Sequence, residues 1–198
     1  MIKAIIFDAG GVVLLDRIET VDKKICEKTG IPYDSFIALK KPIYTDLLSG
    51  KYSVEEFCAK LQKEFGLDFD VLPVWKKAYL EVMAINTELL EIVKKLKKNC
   101  SVAIISNAPK LHAELNKTRG VYSLFNPCII SCEVGLVKPD RRIFELALQK
   151  IGLKAKECVF IDDREEHLQI PKELGFQVIH FKNNKEFIEA LKKLGLQF

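Results

Sequence analysis

A chain of 198 residues is long enough for one α/β domain with a modest insertion, and too short for two large independent domains. Hydrophobic residues make up 48% and charged residues 29%, which excludes disordered and fibrous classes. The net charge is only +4 and no apolar run approaches the roughly 18 to 20 residues of a membrane span, so we expect a cytoplasmic protein that binds neither nucleic acid nor membranes.

The first predicted element is a strand over residues 2–7. This nearly continuous run of apolar, β-branched residues ends at Asp8 and two glycines. A run without alternation predicts a strand that is buried on both faces, as in a parallel sheet.

Residues 16–85 are predicted to form a helical insertion. Apolar residues recur at helical spacing up to Gly30, and Ser53 with Glu56 has the pattern of a capping box ahead of a further helix. No strand-like segment occurs in this range. We therefore expect a helical cap domain over residues 16–85, inserted into a core domain formed by residues 1–15 and 86–198.

From Thr87 onward, helix-like and strand-like segments alternate. The predicted strands cover residues 102–105, 128–131, 158–161 and 177–181, and a capped helix after Asn183 closes the core. This alternation predicts a doubly wound, three-layer α/β fold around a parallel sheet. In such sheets ligands bind at the carboxyl ends of the strands.

Polar residues follow three of the predicted strands. Asp8 ends the first strand, Ser106 and Asn107 follow the second, and Asp162 with Asp163 follow the fourth. Carboxylates that meet at one sheet edge repel each other unless a cation lies between them. Because the ligands are oxygen atoms, without His or Cys, Mg²⁺ is favoured over zinc.

Lys138 adds a positive charge near the same edge, in a loop ahead of an amphipathic helix. Two or three carboxylates, a metal ion and a lysine together suit the binding and transfer of a phosphoryl group. The residues alone therefore predict a magnesium site for phosphate chemistry.

The same segments resemble the motifs of the haloacid dehalogenase (HAD) superfamily of hydrolases. Four of them occur in that family's order: Ile-Ile-Phe-Asp8-Ala-Gly-Gly-Val, Ile-Ile-Ser106-Asn107, Val-Lys138-Pro-Asp and Phe-Ile-Asp162-Asp163. The insertion at residues 16–85 resembles the helical cap that this family places after the first motif and closes over small substrates. The resemblance implies a Rossmann-like core domain with a cap.

The resemblance also implies a role for each site residue. Asp8 would be the nucleophile that attacks phosphorus and forms an aspartyl-phosphate. Lys138 would stabilise negative charge on the nucleophile and on the transferring group. Ser106 and Asn107 would bind phosphoryl oxygens, through the hydroxyl and a backbone N–H.

The implied Mg²⁺ ligands are Asp8, the backbone carbonyl of Gly10, and the acidic pair Asp162 and Asp163. The sequence leaves open which member of the pair contacts the metal directly.

Gly10 departs from the family's phosphatase pattern, in which many members carry an aspartate there as general acid and base. Such assistance is worth about 10² to 10⁴ in rate, so its loss would slow turnover or restrict it to good leaving groups. A turn that needs glycine geometry is a second explanation for Gly10. We consider Asp16, or a bound water, as the substitute acid.

The predicted function is Mg²⁺-dependent hydrolysis of a small-molecule phosphate ester, with sugar phosphates as one candidate substrate class. Two alternatives stay open. One is a metal-independent dehalogenase of the same superfamily, which has no need of the acidic pair. The other is a binding protein that has lost turnover. The oligomeric state is not predicted.

Other side chains carry simpler expectations. The six cysteines lie in apolar segments without a CxxC pair, so we interpret them as reduced residues without chemistry. The histidines are predicted to be partly exposed, and His167 is also a candidate neighbour of the metal site. Arg164 is expected either to pair with Glu165 or to contact the ligand.

In the predicted cap, Trp75, Tyr79 and Met83 are spaced as a helix stripe that packs in the cap core. Lys40, Lys41 and Tyr44 are predicted to lie on its solvated surface, with the cleft between cap and core as the alternative.

Overall fold

The computed structural model describes residues 1–196, so the last two residues of the predicted core domain lie outside the described part of the chain. The core is a five-stranded parallel sheet with the strand order β3-β2-β1-β4-β5. The strands are β1 Ala4–Phe7, β2 Ser101–Ser106, β3 Cys128–Ile130, β4 Cys158–Asp162 and β5 Gln177–His180. The predicted third strand ends one residue early, because Ser131 begins a short helix.

Successive side chains of β1 enter two separate hydrophobic cores. Ile5 and Phe7 belong to one cluster, whereas Ala4 and Ile6 belong to the other, and all four are fully buried. Because side chains alternate along a strand, a strand that is apolar at every position serves two covered faces. The three-layer α/β fold predicted from the sequence is confirmed.

Five helices and a short 3₁₀ turn lie in the segment of residues 16–85 that follows β1, and a sixth helix then precedes β2. The helices are α1 Ile18–Thr29, α2 Tyr33–Lys40, α3 Tyr44–Ser49, α4 Val54–Phe65 and α5 Val71–Val82. The predicted capping box starts α4: Ser53 Oγ accepts the Glu56 N–H at 3.1 Å, and Glu56 Oε2 accepts the Ser53 N–H at 2.8 Å. No strand of the described sheet comes from this segment.

The remaining helices cover the two faces of the sheet. They are α6 Thr87–Leu96, α7 Lys110–Thr118, α8 Ser131–Val134, α9 Arg141–Ile151, α10 Gln169–Leu174 and α11 Asn184–Lys193. Phe187 of α11 packs in the cluster that holds Phe7, and Phe144 of α9 packs in the cluster that holds Ile6. No described helix has both the length and the apolar character that crossing a membrane requires.

Two connecting segments cross between the five inserted helices and the sheet. The Leu15 N–H donates to the Ala84 carbonyl at 2.8 Å, and the Asn86 N–H donates to the Val13 carbonyl at 2.9 Å. This pairing ties both ends of the insertion together just beyond β1. The insertion is therefore anchored next to Asp8, the residue that ends β1.

Candidate active site

The carboxyl ends of three neighbouring strands bring the predicted site residues together. Because β1 lies between β2 and β4, Asp8 has Ser106 on one side and the pair Asp162 and Asp163 on the other. All four residues are buried. Asp8, Ser106, Asn107 and Lys138 line a cavity of about 300 Å³ that is also lined by residues of the inserted helices.

Lys138 bridges two of the carboxylates. Its Nζ lies 2.6 Å from Asp8 Oδ1 and 2.6 Å from Asp162 Oδ2, and its side chain is fully buried. The side chain of Asn107 holds the lysine backbone: Oδ1 accepts the Lys138 N–H at 2.9 Å and Nδ2 donates to the Lys138 carbonyl at 3.0 Å. The amide side chain of Asn107 therefore positions the lysine.

The carboxylates carry more negative charge than the lysine balances. Asp8, Asp162 and Asp163 each offer an oxygen within 4.8 Å of the others. Burial, together with the charge of Asp162, raises the pKa of Asp8 to about 7, and burial also raises the pKa of Asp163. The cluster is thus able to accept a further cation.

Asp162 is fully engaged by groups of the protein. Lys138 contacts Oδ2, the Arg164 N–H donates to Oδ1 at 2.9 Å, and His167 Nδ1 lies 3.0 Å from Oδ2. Although burial opposes it, Lys138 and His167 lower the pKa of Asp162 to about 2. His167 thus lies beside the acidic cluster, where the sequence suggests it.

Asp163 has one free oxygen. Arg17 Nε pairs with its Oδ2, whereas Oδ1 is sealed from solvent and has no hydrogen-bond partner among the described residues. A buried carboxylate oxygen without a partner is costly, and beside two other carboxylates it suits a divalent cation with oxygen ligands. The donor set of the cluster therefore fits Mg²⁺.

The two glycines after Asp8 differ in what they require. Gly11 has φ 73°, and a Cβ atom there would overlap the carboxylate of Asp163. At Gly10, by contrast, a Cβ atom would meet only Asp16 O at 3.9 Å and Met83 Cε at 4.0 Å. Backbone geometry explains Gly11 and does not explain Gly10.

The carboxylate of Asp16 forms hydrogen bonds away from the cavity. Its Oδ1 accepts the Arg17 N–H at 2.8 Å and the Thr20 hydroxyl at 2.6 Å, at the start of α1. It is not among the described residues that line the cavity. The structure gives no support to Asp16 as the substitute acid.

A family model described as haloacid dehalogenase-like hydrolase matches residues 2–175. The chain belongs to this family of hydrolases. Its relatives include the D-ribitol-5-phosphate phosphatase of Bacteroides thetaiotaomicron, which is 28% identical over 207 residues that cover 96% of this chain and 97% of that protein. Bifunctional epoxide hydrolase 2 of Sus scrofa is 28% identical over 225 residues, which cover 99% of this chain and 39% of that protein. The hydrolase thus spans about two fifths of the length of that relative.

Solved structures share the fold. A predicted HAD-like family hydrolase from Porphyromonas gingivalis superposes with a TM-score of 0.83, at 25% identity and over 100% of both chains. A HAD family enzyme from Bacteroides thetaiotaomicron, in complex with magnesium and inorganic phosphate, superposes with a TM-score of 0.82, at 22% identity and over 96% of this chain and 99% of that one.

The inserted helices of the hydrolase contribute a buried ion pair to the cavity wall. Lys40 is only 5% exposed, and its Nζ lies 2.7 and 2.6 Å from the two carboxylate oxygens of Asp22 and 4.9 Å from the centre of the Tyr44 ring. The expectation of a solvated surface is wrong for Lys40, because Asp22 of α1 supplies a buried counter-charge. Lys41 is exposed as predicted, and Tyr44 is half-buried.

His112 of α7 contacts the inserted helix α5. It is 3% exposed, its Nε2 accepts the indole N–H of Trp75 at 2.9 Å, and its ring stacks on Tyr79 with centroids 4.0 Å apart. The expectation of partial exposure is wrong for His112, because two aromatic side chains of α5 cover it. Trp75 also packs within the insertion, against Phe36 and Phe57, as its spacing predicts.

Two ion pairs join α1 to the loop after β4. Arg17 pairs with Asp163, and Arg164 Nη2 lies 2.5 Å from Glu19 Oε1. Arg164 therefore pairs with Glu19 and not with Glu165. Because it also lines the cavity, the alternative expectation, contact with the ligand, stays a prediction. The sequence analysis missed both Arg17 and Glu19, because nothing local to either residue marks a partner some 145 positions away.

The other expectations concern residues outside the cavity. The six cysteines are free, as predicted: Cys26, Cys58 and Cys158 are buried, and Cys100, Cys128 and Cys132 are half-buried. His180 is exposed and its Nε2 lies 3.1 Å from the Asp163 carbonyl.

Proposed function

We propose that the hydrolase is a Mg²⁺-dependent phosphatase that cleaves small phosphomonoesters through Asp8. One observation carries the proposal: three buried carboxylates lie together, Lys138 contacts two of them and Arg17 the third, and one oxygen of Asp163 has no partner among the described residues. One relative that the chain covers almost completely is a D-ribitol-5-phosphate phosphatase, and a HAD family enzyme of the same fold was solved in complex with magnesium and inorganic phosphate.

Asp8 would attack phosphorus with a carboxylate oxygen. The new bond between Asp8 and phosphorus forms as the bond between phosphorus and the leaving-group oxygen breaks, and water then hydrolyses the aspartyl-phosphate to release inorganic phosphate. Lys138 holds Oδ1 of Asp8 at 2.6 Å, so it orients the carboxylate and favours its ionised form against the cost of burial.

Asp8, Asp163 and the backbone carbonyl of Gly10 would hold the metal. Asp163 is the better direct ligand of the acidic pair, because Lys138, the Arg164 N–H and His167 already engage Asp162. Bound Mg²⁺ would neutralise the excess negative charge and polarise the phosphoryl group.

Ser106 and Asn107 would bind the phosphoryl oxygens. The Ser106 hydroxyl and the Asn107 backbone N–H follow β2, just ahead of α7, where backbone donors favour an anion. The side chain of Asn107 has a separate task, since it holds the backbone of Lys138.

Because Gly10 carries no acid, water or another group would have to protonate the leaving group, and we expect alkyl phosphates to turn over more slowly than aryl phosphates. The cavity of about 300 Å³ is of a size that suits a small metabolite, and its walls come from both the core and the inserted helices. We therefore assign the natural substrate to the small phosphorylated metabolites, with sugar and polyol phosphates as the first class to test.

The test is hydrolysis of p-nitrophenyl phosphate with Mg²⁺ and with excess EDTA, for the wild type, Asp8→Asn and the exposed control Asp34→Asn. We expect turnover that EDTA removes, that Asp8→Asn abolishes and that Asp34→Asn retains. Metal-independent release of halide from a 2-haloacid, without any phosphate turnover, would instead identify a dehalogenase.

A further inference from the structure

The cavity wall formed by α5 and α7 holds polar groups for which the proposed phosphatase mechanism has no use, among them His112 and Asn116 of α7. His112 lines the cavity together with Trp75 and Tyr79, yet it takes no part in holding the carboxylate cluster.

The hydrogen bond from Trp75 fixes which nitrogen of His112 carries the proton. An indole N–H only donates, so Nε2 of His112 must accept and the ring proton lies on Nδ1. Burial, aided by the charge of Lys40, lowers the pKa of His112 to about 3, so the imidazole is neutral at physiological pH. His112 is therefore a fixed, uncharged donor.

This donor has no acceptor in the described part of the protein. The sealed, unpartnered polar side-chain atoms there belong to Glu19, Asn116, Arg119 and Asp163. Nδ1 of His112 is not one of them and has no hydrogen bond, so it remains accessible through the cavity that His112 lines. A largely buried donor without an acceptor is costly, and a ligand oxygen would remove that cost.

The surroundings of His112 favour an uncharged oxygen over a second anionic group. The two cations that line the cavity away from Lys138 and Arg17 are neutralised already, Lys40 by Asp22 and Arg164 by Glu19. The ring of Tyr79 stacks on the imidazole, and the buried side chain of Met83 is another apolar part of the cavity wall. A hydroxyl or carbonyl oxygen matches this wall, whereas a carboxylate or a second phosphate would be left without a counter-charge.

We propose that Nδ1–H of His112 donates a hydrogen bond to a hydroxyl or carbonyl oxygen of the leaving group, and so selects hydroxylated phosphate esters. The proposal rests on the phosphatase function, and it names a residue that determines which phosphate esters the enzyme prefers. His112 is five residues beyond Asn107, in the first turn of the helix that follows the phosphate-binding loop. The phosphate contacts and the donor thus belong to one rigid stretch of backbone.

Side chains of the inserted helix α5 hold the imidazole of His112 in place. Trp75 and Tyr79 belong to α5, so the tautomer and the ring orientation of His112 depend on α5 being packed against α7. The position of the donor therefore depends on the contact between α5 and α7.

The experiment compares two esters with the same three-carbon chain, glycerol 3-phosphate and n-propyl phosphate, which differ by two hydroxyl groups, on three proteins in the presence of Mg²⁺. His112→Phe keeps a planar ring and removes the donor, whereas His112→Asn places an amide N–H near the position of Nδ1. We expect the ratio of kcat/KM for glycerol 3-phosphate over propyl phosphate to fall about tenfold in His112→Phe and to recover to within about threefold in His112→Asn.

A uniform loss on both esters would mean that His112 only supports packing, and would overturn the proposal. Calorimetric binding of the same two esters to Asp8→Asn, with and without His112→Phe, gives a reading that needs no turnover. Loss of the preference for glycerol 3-phosphate there supports the role of His112 even if the hydrolase turns over neither ester. Binding of both esters without preference, or of neither, contradicts it.

Discussion

Two buried lysines line the same cavity and have different roles. Lys138 shares its Nζ between Asp8 and Asp162, at 2.6 Å from each, while Lys40 holds both oxygens of a single carboxylate, Asp22, at nearly the same distances. The difference lies in the charge balance. Lys40 and Asp22 form a closed pair, whereas Lys138 belongs to a cluster that also contains Asp163 and remains short of positive charge.

This contrast separates a structural ion pair from a reactive one. A balanced buried pair contributes little net stability and has no remaining oxygen to offer a ligand. In the unbalanced cluster, burial together with the charge of Asp162 raises the pKa of Asp8 to about 7, and one oxygen of Asp163 has no partner among the described residues. An excess of one charge sign in a buried site is thus the feature that points to a metal and an anionic substrate.

The largest effect is expected at Lys138. Lys138→Met removes the positive charge beside the nucleophile, so we expect kcat/KM for p-nitrophenyl phosphate to fall by about 10² to 10³. The exposed Lys98→Met serves as the control and should keep wild-type turnover. Activity of Lys138→Met within tenfold of the wild type would contradict the role given to this lysine.

Substitution of Lys40 should lower the stability of the fold, in contrast to substitution of Lys138, which should lower activity. Lys40→Met leaves Asp22 buried without its partner, and we expect the free energy of unfolding in urea to fall by about 3 kcal/mol. Replacing both residues, as Lys40→Met with Asp22→Leu, should restore most of that loss. If the double variant is as unstable as the single one, Lys40 and Asp22 are not a closed pair.

The two lysines also differ in whether the sequence predicts their surroundings. Asp8, Ser106 and Asp162 were predictable because each directly follows a strand, and parallel strands end at one edge of the sheet. Lys40 was not, because its partner Asp22 lies 18 positions away on another helix and no spacing rule joins them.

His112 shows the same limit more sharply. Its burial depends on Trp75, 37 positions earlier in the chain, on a helix of the insertion that packs against α7. The helix pattern of α5 predicted that Trp75 would be buried, but a pattern within one helix cannot tell which other helix it meets. Sheet and cap helices were therefore predictable, while the contacts between them were not.

The two acidic residues after β4 should contribute unequally to Mg²⁺ affinity. Asp163→Asn removes the oxygen that has no protein partner, so we expect Mg²⁺ affinity to fall by about 100-fold in calorimetry. Asp162→Asn disturbs a carboxylate that Lys138 and His167 engage, and we expect a loss of about tenfold. The reverse order of the two losses would make Asp162 the direct ligand.

The effect that is smallest near neutral pH is a pH dependence that comes from His112. Burial and the charge of Lys40 lower the pKa of His112 from 6.5 to about 3. Below pH 6.5, His112 therefore binds a proton in the unfolded chain but not in the folded one. Stability is therefore complete above pH 6.5 and declines as the pH falls toward 3, at a slope that approaches about 1.4 kcal/mol per pH unit. His112→Asn should remove this slope from the urea unfolding curves.

The same titration should be visible at the contact between α5 and α7. Protonated His112 carries two N–H donors, so its Nε2 can no longer accept the bond from Trp75, and the contact must open for the proton to bind. Trp75 is the only tryptophan of the chain, so its fluorescence reports this contact without interference. We expect the fluorescence of the wild type to change on acidification before the secondary structure is lost, and that of His112→Asn to remain constant over the same range. A change that is equal in both proteins would show that the acid transition starts elsewhere, in which case the wall that holds His112 is no more sensitive to pH than the rest of the fold.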